Sequence, residues 1–336
     1  MSQEWAAVCI RCPSLCAPAC PSFVASGRED QSPRSMVLEA SVRSPALGTV
    51  RCLDCGACES ACAVRVPVRS LLQQVRGAAA AAAGLASGPE AVGALHQAWR
   101  EAPAHRARTV VIGSCGCGAH AAESAAIVAF AQARGATGVV ALEGVDCGRR
   151  LRASGQTEAL RALAPLVGAA LAGVRSLVVP SRHCARTIEA LAEQAGLVAF
   201  YVSTVDNWLA RFGVAAAAPH EKMTRFGPCG GDASGAGASG AGWPPRPTCC
   251  GAGEPFASAA PEDADRVGIA LLDEIAGGEA NVVHVEDALC RAHLQRLAAR
   301  RGVSVRVVSR IERVLADAGL DSGAAQRQAA RPNAED

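Results

Sequence analysis

From about residue 108 onward, short runs of β-branched residues alternate with longer segments rich in alanine and leucine. The short runs predict strands and the longer segments predict helices. The predicted strands are Thr109 to Ile112, Gly138 to Leu142, Ser176 to Val179, Val198 to Val202, Asn281 to Val285 and Val303 to Val308. The predicted helices are Ala119 to Arg134, Glu158 to Ala172, Arg186 to Ala195, Ala264 to Ile275, Ala288 to Arg300 and Arg310 to Ala318. This alternation is the signature of an α/β sheet.

The part of the chain before residue 108 has a different pattern. Ser22 to Val50 is polar and rich in turn residues, Leu71 to Val75 has a helical pattern, Ala78 to Ala83 is an alanine run, and Gly84 to Pro89 contains helix breakers. Such a segment predicts a helical connector of modest stability. We therefore divide the chain into a mainly helical N-terminal domain (1–75), a helical linker (76–107), two α/β domains (108–204 and 205–320) and a disordered tail (321–336).

Eight cysteines near the N-terminus form two quartets, Cys9-x2-Cys12-x3-Cys16-x3-Cys20-Pro21 and Cys52-x2-Cys55-x2-Cys58-x3-Cys62. Three closely spaced thiolates fit one loop around a 4Fe-4S cluster, and in two-cluster bacterial ferredoxins the fourth thiolate of each motif binds the other cluster. The spacing therefore predicts two 4Fe-4S clusters with crossed ligand sets. One set is Cys9, Cys12, Cys16 and Cys62, and the other is Cys52, Cys55, Cys58 and Cys20. The first quartet has one extra residue before Cys16, and Ala63 replaces the proline of the second.

Two other uses of these cysteines are disulfide formation and zinc binding. Sixteen cysteines could form a disulfide scaffold, but such scaffolds are typical of short secreted chains, and this chain has 336 residues. Met1 to Val8 has neither the basic region nor the apolar stretch of a secretory signal, so we expect a cytoplasmic protein with reduced thiols. Zinc is less favoured than clusters at the quartets, because zinc sites usually use two separated cysteine pairs.

Composition narrows the classes of function. Hydrophobic residues make up 50% of the chain, charged residues 19%, and the formal net charge is +2, as in a soluble globular protein without a basic field for nucleic acid. The longest apolar run, Ala162 to Val174, contains Pro165 and is too short to span a bilayer. Any membrane association would therefore be peripheral or through a partner.

The remaining cysteines repeat a rhythm that indicates an internal duplication. The first copy contains Cys115, Asp146-Cys147-Gly148 and Cys184, and the second contains Cys229, Cys249-Cys250-Gly251 and Cys290. The segment between Cys229 and Cys249 is rich in Gly, Ser and Pro and has no room for the helix and strand of the first copy. Several of these cysteines follow predicted strands, where open α/β sheets place their sites.

Each copy offers a candidate site. In the second copy Cys229, Cys249, Cys250 and Cys290 make a four-thiolate site for a third 4Fe-4S cluster or zinc, and His293 is either a fifth ligand or an ordinary histidine. In the first copy Cys115, Cys147 and Cys184 are three possible ligands, which Cys117, Asp146, His120 or His183 could complete. Alternatively, the first copy has no cofactor and its cysteines are buried apolar side chains. No Walker loop, nucleophile elbow or HExxH pair is present.

A two-quartet ferredoxin unit followed by two Cys-Cys-Gly domains resembles the superfamily of heterodisulfide reductase subunits and glycolate oxidase iron-sulfur subunits, over nearly the whole chain. Cys20-Pro21 followed by Gly27, Glu29 and Ser32-Pro33-Arg34 is similar to the segment after the first quartet in glycolate and lactate oxidase iron-sulfur subunits. The resemblance implies ferredoxin-type ligands at the eight N-terminal cysteines and a Cys-Cys-Gly cluster in the second α/β domain. His293 stands where the family has its final cysteine, and Asp146 replaces a cysteine of the first copy.

The resemblance also implies a function. Relatives pass electrons from a separate flavoprotein that oxidises a 2-hydroxy acid, or from other donors, towards quinone or a disulfide. We therefore expect an electron-transfer subunit of an oxidoreductase complex with a flavin-containing partner, in which any link to quinone or the membrane is peripheral. Two alternatives stay open: a disulfide reductase whose active site is the Cys229, Cys249, Cys250 and Cys290 cluster, and a docking module whose C-terminal domains are stabilised by zinc.

Overall fold

The computed structural model describes residues 3–103, 107–112, 121–197, 199–212, 223–225, 249–278, 281–285 and 287–309. The N-terminal part is helical and contains α1 (Gln3–Ile10), α2 (Pro21–Ser26), α3 (Pro33–Val42), α4 (Ala57–Ala61) and α5 (Val68–Ala82). Short 3-10 turns at Ala17–Ala19, Glu29–Gln31 and Leu47–Arg51 connect these helices. Their shared core includes Met36, Val37 and Leu72, packed around several of the cysteines.

The first α/β unit is a parallel sheet of four strands in the order β2-β1-β3-β4. Its elements are α6 (Pro89–Glu101), β1 (Thr109–Ile112), α7 (Ala121–Ala133), β2 (Val139–Leu142), α8 (Arg149–Ala153), α9 (Thr157–Ala170), β3 (Ser176–Val179), α10 (Arg182–Gln194), β4 (Tyr201–Thr204) and α11 (Val205–Ala210). Val110 and Ile112 pack on the face covered by α9, and Val111 packs on the face covered by α7. Burial on both faces explains the continuous apolar runs of the strands.

The second α/β unit is a smaller parallel sheet in the order β5-β6-β7. Its described elements are β5 (Met223–Arg225), α12 (Phe256–Ala259), α13 (Pro261–Ala276), β6 (Val282–Val285), α14 (Ala288–Arg301) and β7 (Arg306–Ser309). Leu271, Leu272 and Ile275 of α13 join Leu294 and Leu297 of α14 in its core. None of the described helices is both long and apolar enough to cross a membrane.

The mixed fold, with a helical N-terminal part and parallel sheets, agrees with the predicted class, whereas the duplication stays a prediction. Two strands match their predicted bounds. The strand predicted at Val198 to Val202 instead spans Tyr201–Thr204, after Ala199 adopts a left-handed backbone with φ +57°. Helix α10 begins four residues before the predicted Arg186, because the hydroxyl of Ser181 accepts a hydrogen bond from the Cys184 amide and caps the helix.

Several predictions meet the structure only in part. Strand β5 and helix α11 were not predicted, and β7 begins three residues after the predicted Val303. The predicted helix Arg310 to Ala318 and the tail 321–336 lie outside the described residues. The domain boundary placed at residue 75 falls within α5, which continues to Ala82.

The segment treated as a linker packs closely against its neighbours. Trp99 of α6 is buried in the core of the first α/β unit, and its indole nitrogen donates a 2.7 Å hydrogen bond to the Asp146 carbonyl. Gly77 of α5 lies so close to Gly155 that an added Cβ at residue 77 would come within 2.5 Å of the Gly155 carbonyl oxygen. Helix α5 therefore joins the N-terminal helical part to the first α/β unit.

Candidate functional site

The first group of cysteines lies between α1 and the segment that follows α4. Burial, together with smaller contributions from the neighbouring thiolates of Cys12, Cys9 and Cys62, raises the pKa of Cys16 to about 11. The pKa of Cys9 is raised by burial and then by Cys12 and Cys62. Cys9, Cys16 and Cys62 also pack in one apolar cluster, so their sulfurs are neighbours, and Cys12 lies close enough to act on Cys9 and Cys16. The structure thus brings Cys62 of the second quartet to three cysteines of the first.

The second group lines one small pocket. Cys20, Cys52, Cys55 and Cys58 all contribute to its wall, together with Met36, Leu53 and Arg69. Burial raises the pKa of Cys58, and Cys52, Cys55 and Cys20 raise it further in that order. Cys20 belongs by sequence to the first quartet, so the crossing of the quartets is mutual. These two groups coincide with the two predicted ligand sets, whose role as ligands stays a prediction.

Backbone conformation shapes the loops that present these thiols. Of the four described non-glycine residues with positive φ, three lie in or next to the cysteine loops: Ser14, Asp54 and Arg65. Gly56, also left-handed at φ +78°, lies between Cys55 and Cys58. Such residues are uncommon and concentrate where a loop must bend around a site.

Backbone amides also reach the cysteine sulfurs. The Asp54 amide donates to Cys52 Sγ at 3.4 Å, and the Val66 amide donates to Cys62 Sγ at 3.5 Å. Amide hydrogen bonds to sulfur help to set the reduction potential of an iron-sulfur cluster. One such donor is present in each cysteine group.

The donor set fits an iron-sulfur cluster. The eight thiols are not joined as disulfides, and burial opposes the ionisation of Cys9, Cys16, Cys52 and Cys58, as their raised pKa values show. A cluster requires thiolates, and its iron ions supply the positive charge that these buried thiolates need. Within the described residues, no three or more His, Cys, Asp or Glu side chains are grouped to hold a metal ion. A cubane instead takes its thiolates at four separate iron corners, from around a cavity.

The segment Ser32-Pro33-Arg34 supports the first cysteine loop. Ser32 caps α3 by accepting a 3.1 Å hydrogen bond from the Ser35 amide, and Pro33 occupies the first helical position. This places Arg34 so that its guanidinium donates to the carbonyl oxygens of Cys9 at 2.8 Å and Ile10 at 3.2 Å. The short motif therefore fixes the chain at the end of α1, where the first quartet begins.

The C-terminal candidate site contains three described cysteines. Cys249, Cys250 and Cys290 are all buried, and the Sγ atoms of Cys250 and Cys290 are 2.7 Å apart. Gly251 has φ +87°, so the chain turns sharply after the cysteine pair, and the Gly251 amide donates to Cys249 Sγ at 3.4 Å. Cys229, the predicted fourth member, lies outside the described residues.

His293 has partners other than a metal in this structure. Its Nε2 is 3.2 Å from the Ala264 carbonyl oxygen and its Nδ1 is 3.0 Å from the Arg296 guanidinium. Because a carbonyl only accepts and a guanidinium only donates, Nε2 carries the proton and Nδ1 accepts. Burial is the main cause that lowers the pKa of His293. Both ring nitrogens thus have hydrogen-bond partners in this structure, and the role of His293 as a possible fifth ligand stays a prediction.

The candidate site of the first copy is only partly described. Cys147 and Cys184 are buried in the core of the first α/β unit, and the Ser181 hydroxyl donates to Cys184 Sγ at 3.3 Å. Burial raises the pKa of Asp146, and Cys184 raises it further, so this carboxyl lies near that cysteine. His183 is half-buried on α10, next to Cys184. Cys115, Cys117 and His120 lie outside the described residues.

The N-terminal pocket and the C-terminal site share a wall. Leu53 lies between Cys52 and Cys55, and it packs in one apolar cluster with Cys249 and Phe256, against which Cys55 also packs. Gly253 is so close that an added Cβ would lie 3.4 Å from Leu53 Cδ2. The loop that carries two thiols of the second group is therefore in contact with the Cys249-Cys250 turn.

An ion pair joins the two α/β units near their cysteines. Arg149 follows the Cys147-Gly148 turn, and its guanidinium lies 2.5 Å from the carboxylate of Asp287, which caps α14 ahead of Cys290. The side chains are only 14% and 11% exposed. Sequence reasoning missed this pair and the contact made by Leu53, because neither involves a local motif.

The comparison with protein families supports the N-terminal assignment. The family model described as a 4Fe-4S dicluster domain matches residues 5–66, which include both cysteine quartets. The N-terminal part is therefore a ferredoxin-type, 4Fe-4S-binding domain, as predicted. No curated protein and no solved structure matches the chain.

Proposed function

We propose that this protein is an electron-transfer subunit of an oxidoreductase complex, in which it relays electrons between a flavin-containing partner and a quinone or another acceptor. The grouping of eight N-terminal thiols into two crossed sets of four carries this proposal. A chain with two such sets can hold two 4Fe-4S clusters close together, and each cluster exchanges one electron at a time. The flavoprotein partner and the quinone come from the family resemblance.

The contact at Leu53 supports a route inside the protein. Cys55 of the second cysteine group packs against the apolar cluster that contains Leu53 and Cys249 of the C-terminal site. An electron on a cluster of the second group therefore has a short, packed path toward the C-terminal cysteines. Ile10 and Leu15, which neighbour cysteines of the first group along the chain, are exposed apolar residues.

The two α/β units show a parallel that supports the proposed duplication. Ser176, Ser181 and Cys184 follow one another at the same spacing as Val282, Asp287 and Cys290, as strand start, helix cap and first-turn cysteine. Gly148 and Gly251, which each follow a cysteine, are both left-handed, at φ +77° and +87°. We infer that the units are two copies of one Cys-Cys-Gly domain, of which the second keeps the fuller cysteine set.

The test of the proposal uses anaerobically purified full-length protein. We expect about eight irons and eight sulfides per chain from two cubane clusters, with electron paramagnetic resonance (EPR) signals that appear on reduction by dithionite. Cys62→Ala should lose the same signal as Cys16→Ala, and Cys20→Ala the same signal as Cys58→Ala. Pairing within each quartet would instead group Cys20 with Cys16. Protein that binds iron but never changes redox state would refute electron transfer.

The partner is tested separately. A reduced flavoprotein of the 2-hydroxy-acid oxidase class should reduce the clusters of the wild-type protein, and oxidised quinone should reoxidise them. A matched measurement with free reduced flavin separates protein docking from simple chemical reduction. Equal rates with the flavoprotein and with free flavin would contradict the proposed partnership while leaving the cluster assignment intact.

A second candidate function is disulfide reduction at the C-terminal site. The 2.7 Å approach of Cys250 and Cys290 and their contact with the cluster-bearing part favour it. Reduction of one disulfide consumes two electrons and two protons and yields two thiols, so the N-terminal clusters would supply two electrons in single steps. Cys250→Ala should abolish reduction of a small disulfide by dithionite-reduced protein and leave both N-terminal EPR signals unchanged. Stoichiometric zinc in place of extra iron would favour a docking module instead.

A further inference from the structure

One arginine is completely buried next to the second cysteine group. Arg76 of α5 is 0% exposed. Its Nε donates to the Thr49 carbonyl oxygen at 3.2 Å, and one terminal nitrogen donates to the Ala153 carbonyl oxygen at 3.3 Å. The other terminal nitrogen is buried and has no hydrogen-bond partner among the described residues. A buried guanidinium bound only to carbonyls is unusual, because burying a charge is costly unless an opposite charge compensates it.

The structure connects Arg76 to a cysteine of the second group. The Thr49 carbonyl that accepts from Arg76 also accepts a 3.3 Å hydrogen bond from the Cys52 amide. The guanidinium and Cys52 are therefore joined through one peptide oxygen. Burial raises the pKa of Cys52, and the positive charge of Arg76 is the strongest opposing influence. The side chain is thus close enough to act electrostatically on this thiolate.

No carboxylate of the described residues forms an ion pair with Arg76, so its charge is uncompensated by the protein there. Arg69, which lines the pocket of the second cysteine group, differs in this respect. Its guanidinium is 2.8 Å from Glu59, and the same carboxylate accepts from the Arg69 amide at 2.7 Å. A cluster held by four thiolates is the anion that would balance Arg76.

We propose that Arg76 raises the reduction potential of a cluster held by Cys20, Cys52, Cys55 and Cys58 above that of the cluster held by the other group. This inference rests on the proposed function. Reduction adds one electron to the cluster and breaks no bond, so the only change that Arg76 senses is one more negative charge. A cation buried at fixed distance stabilises the reduced form, and its effect is weakly screened because water is excluded.

Among the described residues of the N-terminal part, no other arginine is fully buried as Arg76 is. The arginine that acts on Cys9 of the first group is Arg34, which is half-buried and only a minor influence. Solvent screens such a charge more strongly. Electrons that enter at the first group would therefore move downhill to the second group, which is in contact with Cys249 through Leu53. Arg76 would act as a positioning residue that gives the relay its direction.

The experiment compares Arg76→Met with Arg76→Lys in the full-length protein. Both variants lose the forked hydrogen bonds to Thr49 and Ala153, but only lysine keeps the positive charge. Iron and sulfide content establishes cluster loading, and an EPR-monitored redox titration measures both midpoint potentials. The Cys58→Ala variant identifies the signal of the second group. We expect Arg76→Met to disfavour reduction of that cluster at least tenfold, a shift of about 59 mV to more negative potential for one electron, and Arg76→Lys to retain most of the wild-type value.

The controls make the outcome decisive. Arg34→Met should leave the potential of the second group unchanged, since its charge lies at the other cysteines. Unchanged potentials in a fully loaded Arg76→Met variant would overturn the inference. A shift in Arg76→Lys as large as that in Arg76→Met would also overturn it, because Arg76 would then act through structure and not through its charge. If Arg76→Met fails to load the second cluster, the inference stands only if Arg76→Lys keeps both cluster and potential. A wild-type protein without clusters would refute the proposed function and this inference together.

Discussion

The turn after the cysteine pair of the second α/β unit should not tolerate any side chain. Gly251 has φ +87°, and a Cβ added there would overlap the Ala264 carbonyl oxygen and lie 3.2 Å from Val267 Cβ. Two costs therefore add in Gly251→Ala. The left-handed conformation costs an alanine about 1 to 2 kcal/mol, and overpacking against a neighbour adds about 1 to 3 kcal/mol. Because the blocking atom belongs to the backbone of α13, it cannot rotate away.

The same unit contains a matched control. Gly302 ends α14 in the left-handed conformation, φ +64°, but an added Cβ would meet nothing within 4 Å. Gly302→Ala therefore isolates the conformational cost and should lose only about 1 to 2 kcal/mol. Gly148, at φ +77°, is intermediate, because an added Cβ would meet side-chain atoms of Leu163 at 3.0 Å and Leu160 at 3.1 Å, which can shift.

Urea unfolding of the full chain, followed by circular dichroism under anaerobic conditions, measures these losses as shifts in midpoint at constant slope. We expect Gly251→Ala to lose about 2 to 5 kcal/mol and to disturb any cofactor bound at Cys249 and Cys250. The N-terminal EPR signals should stay unchanged. If Gly302→Ala destabilised the protein as much as Gly251→Ala, close packing of the turn against α13 would be refuted as the cause.

Two further predictions concern charge. Burial lowers the pKa of His293 in the folded protein. As the pH drops, the unfolded state therefore binds the proton first. The contribution of His293 to the free energy of unfolding should be complete above about pH 6.5 and be lost as the pH drops toward the depressed folded pKa. His293→Gln can keep both hydrogen bonds, to Ala264 and Arg296. This variant should therefore remove the pH dependence when the free energy of unfolding is measured between about pH 8 and 5.5. A titration of His293 at or above its ordinary pKa would contradict the reasoning. The second prediction concerns the buried pair Arg149 and Asp287, for which a double-mutant cycle with Arg149→Met and Asp287→Asn should give a coupling free energy of about 1 to 3 kcal/mol. Asparagine is chosen because it can keep the cap of α14. A coupling near zero would show that the pair does not hold the two α/β units together.

Local patterns were sufficient for much of the architecture. The strands Thr109–Ile112 and Ser176–Val179 have the bounds that their β-branched runs predict, because strands buried on both faces are apolar throughout. Cysteine spacing likewise indicated the two ligand sets, since a loop around a cluster constrains residues only a few positions apart. Where a capping side chain or a left-handed residue sets the start of an element, as at Ser181 and Ala199, hydrophobic pattern alone misplaced it.

The residues that connect the parts were visible only in three dimensions. In the sequence, Arg76 looks like a solvent-exposed residue of a helix of mixed polarity. In the structure, α5 packs tightly at Gly77, and the side chain of Arg76 is fully buried. Leu53 is an ordinary residue of a cysteine loop until the fold brings Cys249 against it. The predicted thiol ligands thus follow from short-range sequence, because three members of each predicted set lie within a few residues of one another. Their electrostatic environment and the path between sites depend on packing between segments far apart in the chain, which no local pattern encodes.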